Sequence, residues 1–492
     1  MHLWHLLCLL PLLSPIGHAA QSGDFTYEVV QSTVTITKYA GPGGSVTIPA
    51  TIDGLPVTGI GTNAFYHSTG LTNVTLPNGV TSVAEYAFAD CSGLTTVTIG
   101  KGLASIGNRV FWECAGLANI AVDVLNPNYC DREGVLFNKE QTTLIQYPIA
   151  RVGNYDVPNS VTNIGSEAFR FCAGLTSVSI GEGLTSIGER AFWAAGLANI
   201  AVDVLNPNYC DREGVLFNKE QTTLIQYPIA RVGNYDMPNS VTSIGDGAFF
   251  EANGLTGVTM SSNVTTIGDS AFADCGALKS ATLPKSLTSI GGGAFRYCTG
   301  LTSITLPNEV TSIGEYAFSE CTGLTGITLP TGLISIGNAA FLSCTGLTSI
   351  TLPNHVINIG NLAFSGCSRL TKMYFTGNAP TLGESAFYAS NGATVYYLPG
   401  TSGWGSTFGG RPTMLWNSQV QTTDALFGVR TGQFGFTLSG SSNLVLVVEA
   451  CTDLSNPAWS PVGTKILTDG SSYFSDSQWT NYPARFYRLR SP

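Results

Sequence analysis

Leu301–Gly323 reads LTSITLPNEVTSIGEYAFSECTG, and every part of it recurs along the chain. Leu301, Ile304 and Leu306 alternate with polar residues, the pattern of a half-buried strand whose Ser303 and Thr305 face outward. Pro307-Asn308 ends that strand, because proline donates nothing to a ladder and asparagine suits a turn. Val310 and Ile313 bring the chain back inward, and Gly314 permits a sharp bend. The segment EYAFSEC has the length of about one helical turn with Ala317, Phe318 and Cys321 on one face. The phenylalanine sets the beat: Phe65, Phe88, Phe111, Phe169, Phe192, Phe249, Phe272, Phe295, Phe318, Phe341, Phe364 and Phe387 all follow an apolar residue. Nine of their steps are 23 residues, and the steps of 58 and 57 add a block of about 35. A fixed period of this size marks a solenoid, whose units bury their apolar faces only against neighbours.

Other columns follow the same beat. Asn108, Ser166, Asp246, Asp269, Asn338 and Asn361, with Glu189, Glu315 and Glu384, open the expected helical turn and read as N-caps. Gly300, Gly323 and Gly346 precede the next leucine and read as left-handed C-caps. Cys91, Cys114, Cys172, Cys275, Cys298, Cys321, Cys344 and Cys367 share one slot, which Ser68, Ala195, Ala252 and Ser390 also fill. A slot that accepts any small side chain reads as a buried thiol column. Disulfides between neighbouring turns are the alternative that an exported protein invites.

The organisation falls into five segments. Residues 1–20 read as a secretory signal, with an apolar core Leu3 to Leu13 and a small-residue end at Gly17, Ala19 and Ala20. Residues 21–60 form an N-terminal capping repeat, and 61–398 the solenoid, with inserts at about 122–157 and 202–237. Residues 115–162 recur as 195–242 with one change, Val157 to Met237, so the inserts are an internal duplication; identical surfaces also allow bivalent engagement of a repeating polymer. VLFNKEQTTLIQYP (Val135 to Pro148) reads as a β-hairpin or as a solenoid turn lacking the Ala-Phe unit. Residues 399–417 read as a capping loop and linker, and 418–492 as a small all-β domain.

At this point LTSITLPNEVTSIGEYAFSEC resembles the BspA-like leucine-rich repeats of surface and secreted proteins, from about Phe25 to Leu370. ITKYAGPGGSVTIPATIDGLPVTGIGTNAF is similar to that family's N-terminal repeat. The resemblance implies a leucine-rich-repeat solenoid of α/β type, mostly β, with parallel strands and short helical turns. It also implies secreted or cell-surface localisation, and some members are adhesins for host or matrix proteins. VVEACTDLSNPAWSPV and ARFYRLRSP resemble a C-terminal module of secreted bacterial proteins, which implies attachment to the envelope or export.

Composition narrows the function. A net charge of -10 with no basic stripe argues against nucleic acid. Beyond residue 20 only His67 and His355 remain, at least ten turns apart, about 50 Å at ~4.8 Å per turn, so they share neither a metal nor a triad. GxSxG and HExxH are absent. Gly59-Ile60-Gly61 with Ala64 is the repeat bend rather than a dinucleotide motif. Asn126, Asn128, Asp131 and Glu133 fail the EF-hand spacing. Leu398-Pro399-Gly400-Thr401 has Ser402 where a sortase signal needs glycine. No catalytic, metal or cofactor residues are assigned. Two surfaces remain: a hydroxyl column of Thr75, Thr98, Ser179, Thr259, Thr282, Thr305, Thr328 and Thr351, and an aromatic platform of Tyr374, Tyr396, Trp404 and Trp416. The expected function is a secreted or surface binding scaffold for an extracellular protein or glycan, with no transmembrane helix in the mature chain. The alternatives are a structural surface-layer or matrix component and, further off, a carbohydrate-active enzyme.

Overall fold

A computed structural model describes residues 20–416, 419–440, 444–455 and 457–490. The signal segment lies outside the described residues up to Ala20. The chain divides into two compact units, Met1–Lys219 and Glu220–Pro492.

In the first unit an antiparallel set, Ala20–Ser22, Phe25–Val30 and Thr33–Tyr39, opens the chain. Thr33–Tyr39 then pairs in parallel with Leu55–Ile60, which starts the coil. Each turn contributes a longer strand and a two-residue one. Leu71–Leu76, Thr96–Ile99 and Asn119–Val122 stack in register on one wall, with Val74, Val97 and Ile120 pointing into the core. Ser82–Val83 and Ser105–Ile106 stack on a second wall. The second unit repeats this with Gly233–Asp236, Leu255–Thr259 and Ser280–Thr282, then Ser303–Thr305 with Gly326–Thr328, then Ser349–Leu352, Lys372–Phe375, Thr394–Tyr397 and Arg411–Leu415. The last of these lies within 399–417, so that segment adds a further parallel strand to the stack.

The third wall corrects the expected helical turns. Among the described residues the only helix is the 3-10 turn Trp479–Asn481. The residues two before and two after each phenylalanine have left-handed backbone, as at Tyr316 (φ 54°) and Glu320 (φ 59°), which an α-helix cannot accommodate. The N–H groups of Tyr316, Phe318 and Glu320 donate instead to Asn338, Ala340 and Leu342 of the next turn, at 2.9, 2.8 and 2.7 Å. Those of Ser319 and Cys321 close tight turns onto Tyr316 and Phe318. Left-handed backbone costs about 1–2 kcal/mol per non-glycine residue. The bonds to the next turn offset it, since the N–H groups from Tyr316 to Cys321 all gain a partner.

Capping fails for the same reason. Asp246 and Asp269 accept the N–H of Asp269 and Gly292 at 2.8 and 2.7 Å, and Asn338 and Asn361 accept those of Asn361 and Glu384 at 2.9 and 2.7 Å. The side chains form a ladder between turns where helix caps were expected. Gly300, Gly323 and Gly346 are not left-handed either. A Cβ there would stand 2.6, 2.3 and 2.5 Å from the carbonyl oxygens of Gly276, Thr299 and Thr322. Close approach of the preceding turn, rather than a C-cap, demands glycine.

The phenylalanines form the core. In the second unit the rings from Phe249 to Phe364 stack at 4.6 to 5.5 Å, with Phe295 and Phe318 within 1° of parallel. Seven cysteines of the column donate their S–H to the carbonyl of a phenylalanine 26 residues earlier, as Cys321 does to Phe295 at 3.0 Å, and Cys172 reaches the carbonyl of Tyr147 instead. Ser390 makes the same bond to Phe364 at 2.7 Å, which explains its presence in that slot. All cysteines among the described residues are free. Burial pushes the thiols of Cys275, Cys321 and Cys367 up to about 12.

The first insert is both of the things its sequence allowed. Val135–Asn138 pairs antiparallel with Thr143–Gln146 around the NKEQ turn, and on its other side with Tyr129–Arg132, while Thr143–Gln146 also joins the parallel stack beside Asn163–Ile164. Tyr147 takes the phenylalanine slot, 5.2 Å from the Phe169 ring, and donates its N–H to Ala168 at 2.9 Å. Gln146-Tyr147 replaces Ala-Phe there. Beyond residue 418 the described strands are antiparallel, in two sheets around Phe436, Leu438, Leu446, Val448, Leu467 and Phe474.

Candidate binding surface

Hydroxyls run along each turn in three columns, and their hydrogen bonds separate them. At the start of the long strand, Thr95, Thr325 and Thr371 donate to the carbonyls of Thr72, Thr302 and Thr348 at 2.9, 3.1 and 3.2 Å. Before the short strand, Thr81, Thr185, Thr265 and Thr288 donate to Thr58, Thr162, Thr242 and Thr265 at 2.9 to 3.2 Å. These seven hydroxyls hold one turn to the previous one, while those of Thr302, Thr311 and Thr348 in the same columns make no such bond.

The third column is the candidate face. Thr75 faces Thr98 across neighbouring strands, Thr259 faces Thr282, and Thr305 faces Thr328. Among the described residues Thr75, Thr98, Ser179, Thr259, Thr282, Thr305 and Thr328 have no side-chain hydrogen bond, whereas Thr351 is engaged within the chain. β-sheet geometry explains why: these side chains stand perpendicular to the strands, out of reach of the neighbouring carbonyls.

Tyr374 and Tyr396 continue this column beyond Thr351 in the same register. They do not make an exposed platform with Trp404 and Trp416. Tyr374 is 1% exposed and Trp416 5%, both in the core cluster of Phe436, Leu446 and Phe474. Trp404 stacks on Tyr397 at 5.2 Å and meets Phe375 and Phe408, with its indole N–H bonded to Thr401. Tyr396 is half-buried against Tyr374. The aromatic end is therefore mostly packing. Its surviving polar feature is internal: the Tyr374 hydroxyl and the Trp416 indole N–H are buried without a partner. Burial also raises the Tyr374 hydroxyl to about 12.

Where the sheets after residue 418 meet the hydroxyl face they leave a groove of about 700 Å³. Its floor carries Thr305, Thr328 and Thr351, and its wall carries Leu398, Trp416 and Leu489, with Arg490 beside them. Arg490 Nε sits 2.6 Å from Glu449, which also holds Arg488 at 2.7 Å. Leu489 and Arg490 went unrecognised as site residues because nothing local in the sequence ties them to a threonine far upstream.

A second cavity, of about 400 Å³, opens in the first unit beside the narrow Tyr147 turn. Arg109 bridges it to Glu167 at 2.9 Å, and Arg170 meets the same carboxylate at 2.8 Å. Tyr86 and Phe171 pack edge-on against Trp112. Arg109 and Arg170 are thus both paired with Glu167, and the three rings are half-buried. Asn126, from the group tested for calcium, is fully buried and bonds four backbone groups, those of Gly100, Leu103, Asn128 and Tyr129. Among the described residues no three potential ligands converge on a metal position, and no helix is long and apolar enough to cross a membrane.

Comparison with a family profile agrees with this architecture. The profile of the BspA type leucine rich repeat region matches residues 45–131, 147–212, 227–321 and 288–402, in six copies. Similar solved structures include a leucine rich cell surface protein from Faecalibacterium prausnitzii, 27% identical over 73% of this chain and 95% of that one (TM-score 0.43). A leucine-rich repeat protein from Eubacterium ventriosum is 24% identical over 70% and 93% of the two chains (TM-score 0.45). The pneumococcal vaccine antigen PcpA is 18% identical over 82% and 99% (TM-score 0.41). No curated protein matches the chain at a significant level.

Proposed function

This chain belongs to the BspA-type leucine-rich repeat family, and from that premise we propose that it is a non-enzymatic binding scaffold acting at a cell surface or outside the cell. The single observation that carries the reading is the strand-face column: seven hydroxyls without partners, on a fold that ties down most hydroxyls of its other two columns. A regular face of unsatisfied donors and acceptors suits recognition, because a ligand makes bonds there that cost the fold nothing. Family membership supports the surface location, and the apolar segment Leu3 to Leu13 supports export. The strands described beyond residue 418 border the ligand groove. The test is binding of the chain lacking residues 1–20 to extracellular matrix proteins, glycans and intact cells. Saturable binding to one of these is expected, and none across all three would refute the scaffold.

A further inference from the structure

Resting on that scaffold reading, we infer that the groove between the hydroxyl face and the C-terminal sheets takes a neutral, extended polysaccharide. Three features of the groove lead there. The floor is uncharged: Ser303, Thr305, Thr328 and Thr351 line it, and hydroxyls both donate and accept, as sugar hydroxyls do. The nearest charge, Arg490, is bound to Glu449 at 2.6 Å. A sulfate or carboxylate on the ligand would lose its hydration here without finding an unpaired cation. The second feature is the repeat. Thr305 and Thr328 face each other across adjacent turns, which lie about 4.8 Å apart. A pyranose chain whose residues are about one such spacing long meets a new hydroxyl at each ring. An extended peptide shows the same side only every ~6.6 Å. The third is the wall. Leu398 and Leu489 offer apolar contact for the C–H faces of a sugar. A cleft of about 700 Å³ is of the size that takes a short stretch of a thin chain.

The experiment is affinity electrophoresis and titration calorimetry on the chain lacking residues 1–20. The probes are soluble xylan, hydroxyethyl cellulose and laminarin, with heparin and polygalacturonate as charged controls. Two variants are compared: Thr305→Val/Thr328→Val in the groove, and Thr325→Val/Thr371→Val on the structural columns, with melting curves to verify that both fold. At least one neutral polymer should bind, the groove variant should lose tenfold or more, and the second variant should bind as the parent does. Equal binding by the groove variant, preference for the charged polymers, or no neutral polymer bound would each overturn the inference. If the parent holds cells or a matrix protein and the groove variant does not, with no polysaccharide bound, the scaffold stands and the saccharide falls. No binding of any kind removes both.

Discussion

Replacing threonine by valine separates the hydroxyls that hold the fold from those that do not. In the unit Glu220–Pro492, Thr265, Thr288, Thr325 and Thr371 each donate to a carbonyl of the preceding turn at 3.1 to 3.2 Å. Those carbonyls also accept a backbone N–H, as Thr302 does from Thr325 at 3.0 Å, so substitution strands no acceptor. Each loss then falls at the low end for a hydrogen bond, about 0.5 kcal/mol, and the four together near 2 kcal/mol. The matched set Thr259, Thr282, Thr305 and Thr328 has no side-chain bond to lose and should move stability by no more than about 0.5 kcal/mol. Valine suits an exposed strand as well as threonine does. Urea unfolding of the two quadruple variants, compared by midpoint because a chain of two compact units need not unfold in one step, reads the difference. If the strand set unfolds as early as the ladder set, the face hydroxyls are part of the fold and the sorting of columns is wrong.

Other consequences of the packing are as direct. Phe318→Ala, fully buried between Phe295 and Phe341, should cost about 3–5 kcal/mol in urea unfolding, and Tyr147→Phe under about 1.5 kcal/mol because the ring keeps its slot. Gly323→Ala drives a Cβ to 2.3 Å from the Thr299 carbonyl and should cost about 1–3 kcal/mol by the same assay. The thiols of Cys275, Cys321 and Cys367, raised by burial from 9.0 to about 12, favour the folded state fully below pH 9. That contribution is lost as pH rises from 9 to 12, because the unfolded thiols ionise first. Thermal melts should therefore fall through that window, and a Cys321→Ser variant, which can keep the bond as Ser390 does, should fall less steeply.

What the sequence made legible is what repeats by packing. Phe318, Ala317 and Cys321 are buried in every turn because the core recurs every 23 residues, and that period survives any local conformation. The conformation itself was not legible. Ala-Phe with a cysteine three residues on suits one helical turn and a left-handed stacked turn alike, and only the next turn's carbonyls decide between them. Asp269 and Asn361 mislead in the same way, because a residue good at capping a helix is equally good at accepting an N–H from the turn above. Tyr147 escaped notice because its neighbour is Gln146 and its step to Phe169 is 22 residues. Of the candidate site, the floor was readable as alternating threonines. The wall was not, since Leu489 and Arg490 meet that floor only through tertiary packing.

Hydrogen exchange of the full chain with and without saturating xylan tests the binding face most directly. Slowed exchange is expected in Ser303–Thr305, Gly326–Thr328, Ser349–Leu352 and Phe486–Arg490, with no change around Phe111 and Phe169. Protection confined to the phenylalanine turns, or none along the strand face, would contradict it.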